Sequence, residues 1–463
     1  MTRAWTWRVL VFSTFWVFYV TLFSETILYF DSFGYEQLAQ KIAHGPILDY
    51  FRDLNREPLY PLFLALNMKL ADILHIPYTN LVLLTQGIIL LAAQWLMALV
   101  LETIGLSDKI TALLVLYFVI SPSVLRSSLI VYSEIITYPL MIAAVLVSCK
   151  TWDFLMGNKS PWRFYAQRGL YTGLVFVPLI FVKGIFELIT PVFLFVLGVA
   201  AAIKWKMDRQ AIKIAAVFLI AALTAFWTPV LMYKTVNKIY NGHFAFTNRG
   251  SWALYGTAAR RALPVTPQEH LAQMLYVFPD KSWCERAASP AACAHWHYQL
   301  SDNLGMQEYQ QLRAQNLSNA EIDRQLMTMS LKVMVTHPWA TLQGMFWEGA
   351  KLIFWEYPAW GMVALPKELH LAYQAPMTYY SVLIIINLLN FISVCWAVFY
   401  LLFRRPFQNQ PAGTYMAITM ILLFLYIAAH SLFFLNERNA LPIVPLFFIL
   451  AGAGIKVFKK ENK

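Results

Sequence analysis

An all-α polytopic membrane protein is the fold class that this sequence predicts, and three observations predict it. Of its 463 residues, 59% are hydrophobic and only 13% are charged, where ordinary soluble domains run at about 25% charged. Apolar runs long enough to cross a hydrocarbon core of about 30 Å recur along nearly the whole chain, which argues against an amphipathic soluble bundle. Basic residues collect in the short segments between alternate runs, the pattern of the positive-inside rule.

Taken in order, the runs lie near residues 9–29, 80–104, 110–125, 131–149, 169–183, 185–203, 212–235, 378–403, 414–434 and 439–457. The first, Val9 to Phe30, lacks a small-residue cleavage site and reads as a retained span. Placing Arg3 and Arg8 in the cytoplasm puts Lys109, residues 150–168, residues 204–213, Arg404-Arg405 and the Lys456 to Lys463 tail there as well. The run from Ala340 to Trp355 is a different case. As a full crossing it would send Arg404-Arg405 and the basic C-terminus outside, so a helix lying on or dipping into the outer leaflet is expected. This gives a bundle of about ten spans with both termini cytoplasmic.

The chain divides into an N-terminal transmembrane module (1–236), an extracytoplasmic loop region (237–377) and C-terminal transmembrane helices (378–463). The module contains a first outer loop at 29–79, and the loop region contains the membrane-associated helix at 340–356. In the first loop, Tyr35, Leu38, Ala39 and Ile42 stand at helical spacing ahead of a stop at Gly45-Pro46, and an apolar stretch follows from Leu59 to Leu74. In the loop region a helix is expected from Ser318 to Thr336, with Ser318 as N-cap and Glu321 at capping-box spacing.

The net charge of +11 does not indicate a nucleic-acid partner, because the basic residues are scattered over loops and form no stripe. Informative charges are those stranded at membrane depth, where an ionisable group is costly. Asp31 ends the first span, Glu134 opens the fourth, Lys183 lies between the fifth and sixth, and Glu437 and Arg438 lie between the ninth and tenth. Topology sends all of them, with Arg56, to one face. Each alone is explained as a helix cap or a snorkelling side chain. Together they suit a reaction between a lipid phosphate and a polar acceptor: Lys and Arg hold phosphate oxygens, and a carboxylate takes a hydroxyl proton.

Asp31-x-x-x-Tyr35-x-x-Leu-Ala39, Gly45 and Arg56-Glu-Pro-Leu-Tyr60-Pro-Leu-Phe-Leu64 resemble the first outer loop of the GT-C superfamily of integral-membrane glycosyltransferases. The pattern is that of the protein O-mannosyltransferase-like and lipid A aminoarabinose transferase-like branch. Glu134 stands where that branch carries a second acidic residue. Gly169-x-x-x-Gly173 with Lys183 and Pro191, Thr228-Pro229 with Asn237, Gly242 and Thr247-Asn248, then His337-Pro338 and Arg438-x-x-Leu-Pro442 follow in the same order. The resemblance implies a GT-C-like bundle that transfers a sugar from a polyprenyl-phosphate donor to a lipid, glycan or protein acceptor, with inversion. The implied setting is the extracytoplasmic face of a bacterial inner membrane. Asp31 and Glu134 are the implied catalytic residues, and Tyr35, Arg56, Tyr60, Lys183, Glu437 and Arg438 the implied substrate-binding residues. The motif position of the first loop carries a single Asp, Asp31, and no Asp-x-Asp pair, so no cofactor is expected, and a divalent metal is allowed but unsupported.

A transporter or flippase of a lipid-linked or small polar solute is the alternative of another class. Paired inverted segments and Gly/Pro-broken spans in matching halves, which would favour it, are not visible. Cys284 and Cys293 can form a disulfide, or join His295 and His297 in a zinc site. The lack of a tight Cys-x2-Cys element favours the disulfide.

Overall fold

The computed structural model describes residues 3–29, 31–52, 56–157, 161–204, 208–247, 250–277, 281–356, 363–374, 376–403, 411–433 and 437–461. Arg404, Arg405 and Asn248, named above from the sequence, lie outside them, and so does the side chain of Glu437.

The chain opens with α1 (Ala4–Phe23), which gives way to the first loop. There α2 (Asp31–His44) ends at Gly45-Pro46, a short α3 (Ile47–Phe51) follows, and α4 runs over Leu59–Leu74, the stretch expected. Long apolar helices then dominate: α5 (Tyr78–Ile104), α6 (Asp108–Ile120), α7 (Pro122–Leu129), α8 (Glu134–Gly157), α9 (Trp162–Val182), α10 (Phe186–Lys204) and α11 (Arg209–Asn241). A helical loop region comes next, with α12 (Gly250–Arg261), α13 (Pro267–Leu275), α14 (Lys281–Ala287), α15 (Pro290–Trp296), α16 (Tyr298–Ala314), α17 (Asn319–Thr336) and α18 (Pro338–Lys351). The last part holds α19 (Lys367–Gln374), α20 (Pro376–Phe403), α21 (Pro411–His430), a 3-10 turn over Glu437–Ile443 and α22 (Val444–Glu461). Two short strands, β1 (Glu25–Thr26) and β2 (Val363–Ala364), pair antiparallel with Glu25 opposite Ala364.

Among the described residues nine helices are long and apolar enough to cross a membrane: α1, α5, α8, α9, α10, α11, α20, α21 and the run Arg438–Phe458. The expected span at 110–125 is not one straight helix. α6 and α7 meet at an angle of 49° and make up a tenth crossing only if counted together. Pro122 starts α7 at a position where its missing N–H costs nothing. Its neighbours are held by a distant carboxylate: Glu356 accepts from Tyr117 (2.6 Å), Ser121 (2.8 Å) and the Ser123 backbone N–H (2.9 Å). The protein is thus an all-α polytopic membrane protein. α18, with 14 residues, is too short to cross, and it exposes Trp339, Leu342 and Phe346 on one face.

α8, α21 and α22 are mostly buried inside the bundle, whereas α1, α11 and α20 turn most of their surface outward. α9 packs against α11 through Gly169 and Gly173, where a Cβ would lie 2.4 Å from the Phe218 carbonyl oxygen and 2.1 Å from that of Ala222. Small residues at i and i+4 allow backbones this close, which is how helices associate where lipid removes the hydrophobic driving force. At one end of the bundle Asp108 accepts from the Trp5 (2.9 Å) and Thr6 (3.0 Å) backbone N–H groups.

In the loop region, Ser318 caps α17 in a capping box with Glu321, as expected. Cys284 and Cys293 are joined by a disulfide, with Cα atoms 5.9 Å apart. His295 lies 3.3 Å from Glu269, and His297 caps α16. Replacing Cys284 with Ser is expected to cost about 2–3 kcal/mol of local stability, the scale for a loop of about ten residues. Faster limited proteolysis between α13 and α16, with the melting temperature of the bundle unchanged, is the measurable outcome. The buried Arg260 and Arg261 both pair with Glu348 of α18, and Arg261 also donates to the Ser431 carbonyl just past α21. This anchors the loop region to the bundle.

Candidate functional site

Each charged group picked out by the sequence stands where a helix begins or ends. Asp31 is the first residue of α2 and Glu134 the first of α8. A carboxylate at either place complements the positive end of the helix dipole. Lys183 caps the C-terminus of α9 in an extended conformation, next to Gly184. Arg56 precedes α4, and Arg438 lies in the 3-10 turn that Pro442 delays from becoming α22.

These five side chains form one continuous chain of ion pairs. Asp31 receives Arg56 Nη2 on Oδ1 and Arg438 Nη2 on Oδ2. The Nε of Arg438 lies 3.4 Å from Glu134 Oε1, which also accepts from Lys183 Nζ at 2.9 Å. The side chain of Glu134 is only 2% exposed, while those of Asp31, Arg438 and Lys183 are 20%, 24% and 18% exposed. Glu134 is therefore the floor of the cluster, and Asp31 with the three cations its reachable rim. Among the described residues, neither Glu134 Oε2 nor Arg438 Nε finds a hydrogen-bond partner.

Aromatic rings fix the cations. The Arg56 guanidinium sits 5.0 Å from the centre of the Tyr35 ring and that of Arg438 sits 4.5 Å from the centre of the Tyr132 ring, an arrangement attractive by cation–π forces. Tyr35 is itself held, its hydroxyl 3.2 Å from Ser133 Oγ and its ring edge-on to Tyr60 with centres 4.9 Å apart. Tyr60 does not line the rim. It is fully buried and donates to Gln86 Oε1 at 2.8 Å, while Gln86 Nε2 donates to the carbonyls of Ser128 (3.0 Å) and Ile130 (2.9 Å). Replacing Gln86 with Leu strands these groups, at about 1–3 kcal/mol. A lower melting temperature in detergent is the expected readout.

Burial opposes the charge on Arg56, but Tyr35 and Asp31 beside it outweigh this and hold its pKa above the ordinary value. Lys183 behaves alike: burial disfavours its ammonium, and Glu134 and Tyr35 more than restore it. Burial pushes the Tyr132 hydroxyl up to about 12, so it stays protonated. All three are donors at neutral pH.

Two contributions escaped the sequence argument. Glu57 accepts from the Gly184 backbone N–H at 2.9 Å, tying the first loop to the turn that carries Lys183. Its signal was present in the quoted Arg56-Glu-Pro triplet, but its partner lies 127 residues away. Gln86 was hidden inside an apolar run, with nothing in its spacing to set it apart from Thr85 or Gln94. Among the described residues, no group of three or more His, Cys, Asp or Glu is placed to hold a metal ion.

No protein-family model matches this chain, and neither does any curated protein. What the cluster can do is therefore argued from its own chemistry. Three fixed cations around two carboxylates, at the ends of apolar helices, can hold a multiply charged oxyanion beside a proton acceptor.

Proposed function

We propose that the protein is a glycosyltransferase that takes a sugar from a polyprenyl-phosphate donor and passes it to a hydroxyl acceptor at the membrane face bearing the charge cluster. The observation that carries this is the joining of Arg56, Asp31, Arg438, Glu134 and Lys183 into one largely buried chain, reachable from one side, at the ends of apolar helices. The isoprenoid tail is accommodated by the apolar bundle surface, and the phosphate by the cations.

In the proposed step the acceptor oxygen attacks the anomeric carbon while the bond from that carbon to the phosphate oxygen breaks. The acceptor proton passes to the Asp31 carboxylate, and the electron pair leaves with the phosphate. The polyprenyl phosphate gains one negative charge, which Arg56, Arg438 and Lys183 stabilise. A single displacement inverts the anomeric centre and needs no covalent enzyme intermediate. Glu134, beneath the rim, keeps Lys183 and Arg438 aimed upward. The disulfide in the loop region and the positive-inside pattern support an extracytoplasmic site, and the sequence resemblance supports a bacterial plasma membrane.

The test supplies membranes containing the protein with polyprenyl phosphate carrying labelled sugars and follows label into envelope lipids and glycans. Label transferred only when the protein is present is expected. Solute uptake by the purified protein in sealed vesicles, without transfer, would replace the enzyme with the transporter.

A further inference from the structure

Asp31 holds two arginines at once, one on each carboxylate oxygen. Two oxygens of one phosphoryl group would meet the same two guanidinium edges in the same bridging manner. The groups around the pair are not equally fixed. Arg56 has its Tyr35 ring, and Arg438 its Tyr132 ring and Glu134, as partners besides Asp31. Asp31 opens α2 and is partly exposed, whereas Glu134 is enclosed.

From this we infer that Asp31 occupies the seat of a phosphoryl group: the Asp31-facing edges of Arg56 and Arg438 form an anion subsite that an isoprenoid phosphate fills by displacing the carboxylate. The inference rests on the proposed function for its ligand and deepens it. A carboxylate tied to two arginines is a poor proton acceptor, since opposite charges favour its ionised form. Displacement by the donor releases it beside the acceptor. Donor binding and base activation are then one event, and the empty site is kept from activating water.

The measurement is the affinity of purified, detergent-solubilised protein for farnesyl phosphate, with inorganic phosphate and farnesol as companions. Asp31→Asn removes the competing charge and is expected to tighten farnesyl phosphate about tenfold and to leave farnesol unchanged. Glu36→Gln removes a negative charge on the same helix that engages the Tyr78 hydroxyl instead of the arginines, and is expected to change affinity less than twofold. Equal tightening by both variants would reduce the effect to overall charge and overturn the inference, as would unchanged or weaker binding to Asp31→Asn. Asp31→Ser serves the same comparison should the Asn variant not fold. Inorganic phosphate tightening in parallel assigns the subsite to the phosphoryl group itself, while tightening confined to farnesyl phosphate assigns it to the lipid-borne form. Tightening without sugar transfer by the wild type would keep the subsite and remove the glycosyltransferase. Transfer without tightening would do the reverse.

Discussion

Asp31→Asn is expected to lower sugar transfer by about 10²–10⁴-fold, the range for losing a positioned general base. Asn preserves the size of the side chain and can still accept from one arginine, but it cannot take a proton from the acceptor. The loss should therefore fall on the rate at saturating donor, with donor affinity improved. Glu134→Gln provides the contrast. It removes the charge that Lys183 and Arg438 share, so donor affinity should weaken together with rate. Initial rates at several donor concentrations, on variants that elute as monodisperse protein, separate the two patterns. Transfer by Asp31→Asn within threefold of the wild type would remove Asp31 from the chemistry.

Gly173→Leu is expected to abolish folded protein. Its Cβ alone would stand 2.1 Å from the Ala222 carbonyl oxygen, and neither helix backbone can yield without separating α9 from α11. In lipid, that close packing is itself the source of association. Displacing α9 would also move Lys183, which caps the same helix. Gly173→Ala adds that same Cβ against backbone and should cost more than the about 1–3 kcal/mol of ordinary overpacking. Gly198→Ala is the internal control, because its Cβ would meet its neighbours at an ordinary 3.9 Å. The yield of monodisperse protein and its melting temperature in detergent measure all three. A Gly173→Leu variant as stable as the Gly198→Ala control would show that the α9–α11 contact is not needed.

Hydropathy and local chemistry made the bundle readable before any coordinates, because those signals act within a few residues. The stretch Leu59–Leu74, the stop at Gly45-Pro46 and the capping box of Ser318 and Glu321 are all local. The break at Ser121 was not readable. The apolar run continues through it, and the carboxylate that stabilises it, Glu356, comes 235 residues later. At the site, topology alone brought Asp31, Arg56, Glu134, Lys183 and Arg438 to one face. Which acid engages which cation, and the withdrawal of Tyr60 into the interior, depend on side-chain geometry that no spacing rule encodes.

The ion-pair chain also sets an order of assembly. Arg56 follows Asp31 by 25 residues and Lys183 follows Glu134 by 49, whereas Arg438 comes 407 residues after Asp31. Each carboxylate thus enters the membrane with a partner that leaves the ribosome within seconds, at about 5–20 residues per second. The arginine that joins the two pairs arrives about 20–80 seconds later at that pace. A nascent chain halted before its last span would hold the two pairs without the arginine that joins them, so the cluster is complete only once Arg438 has been made.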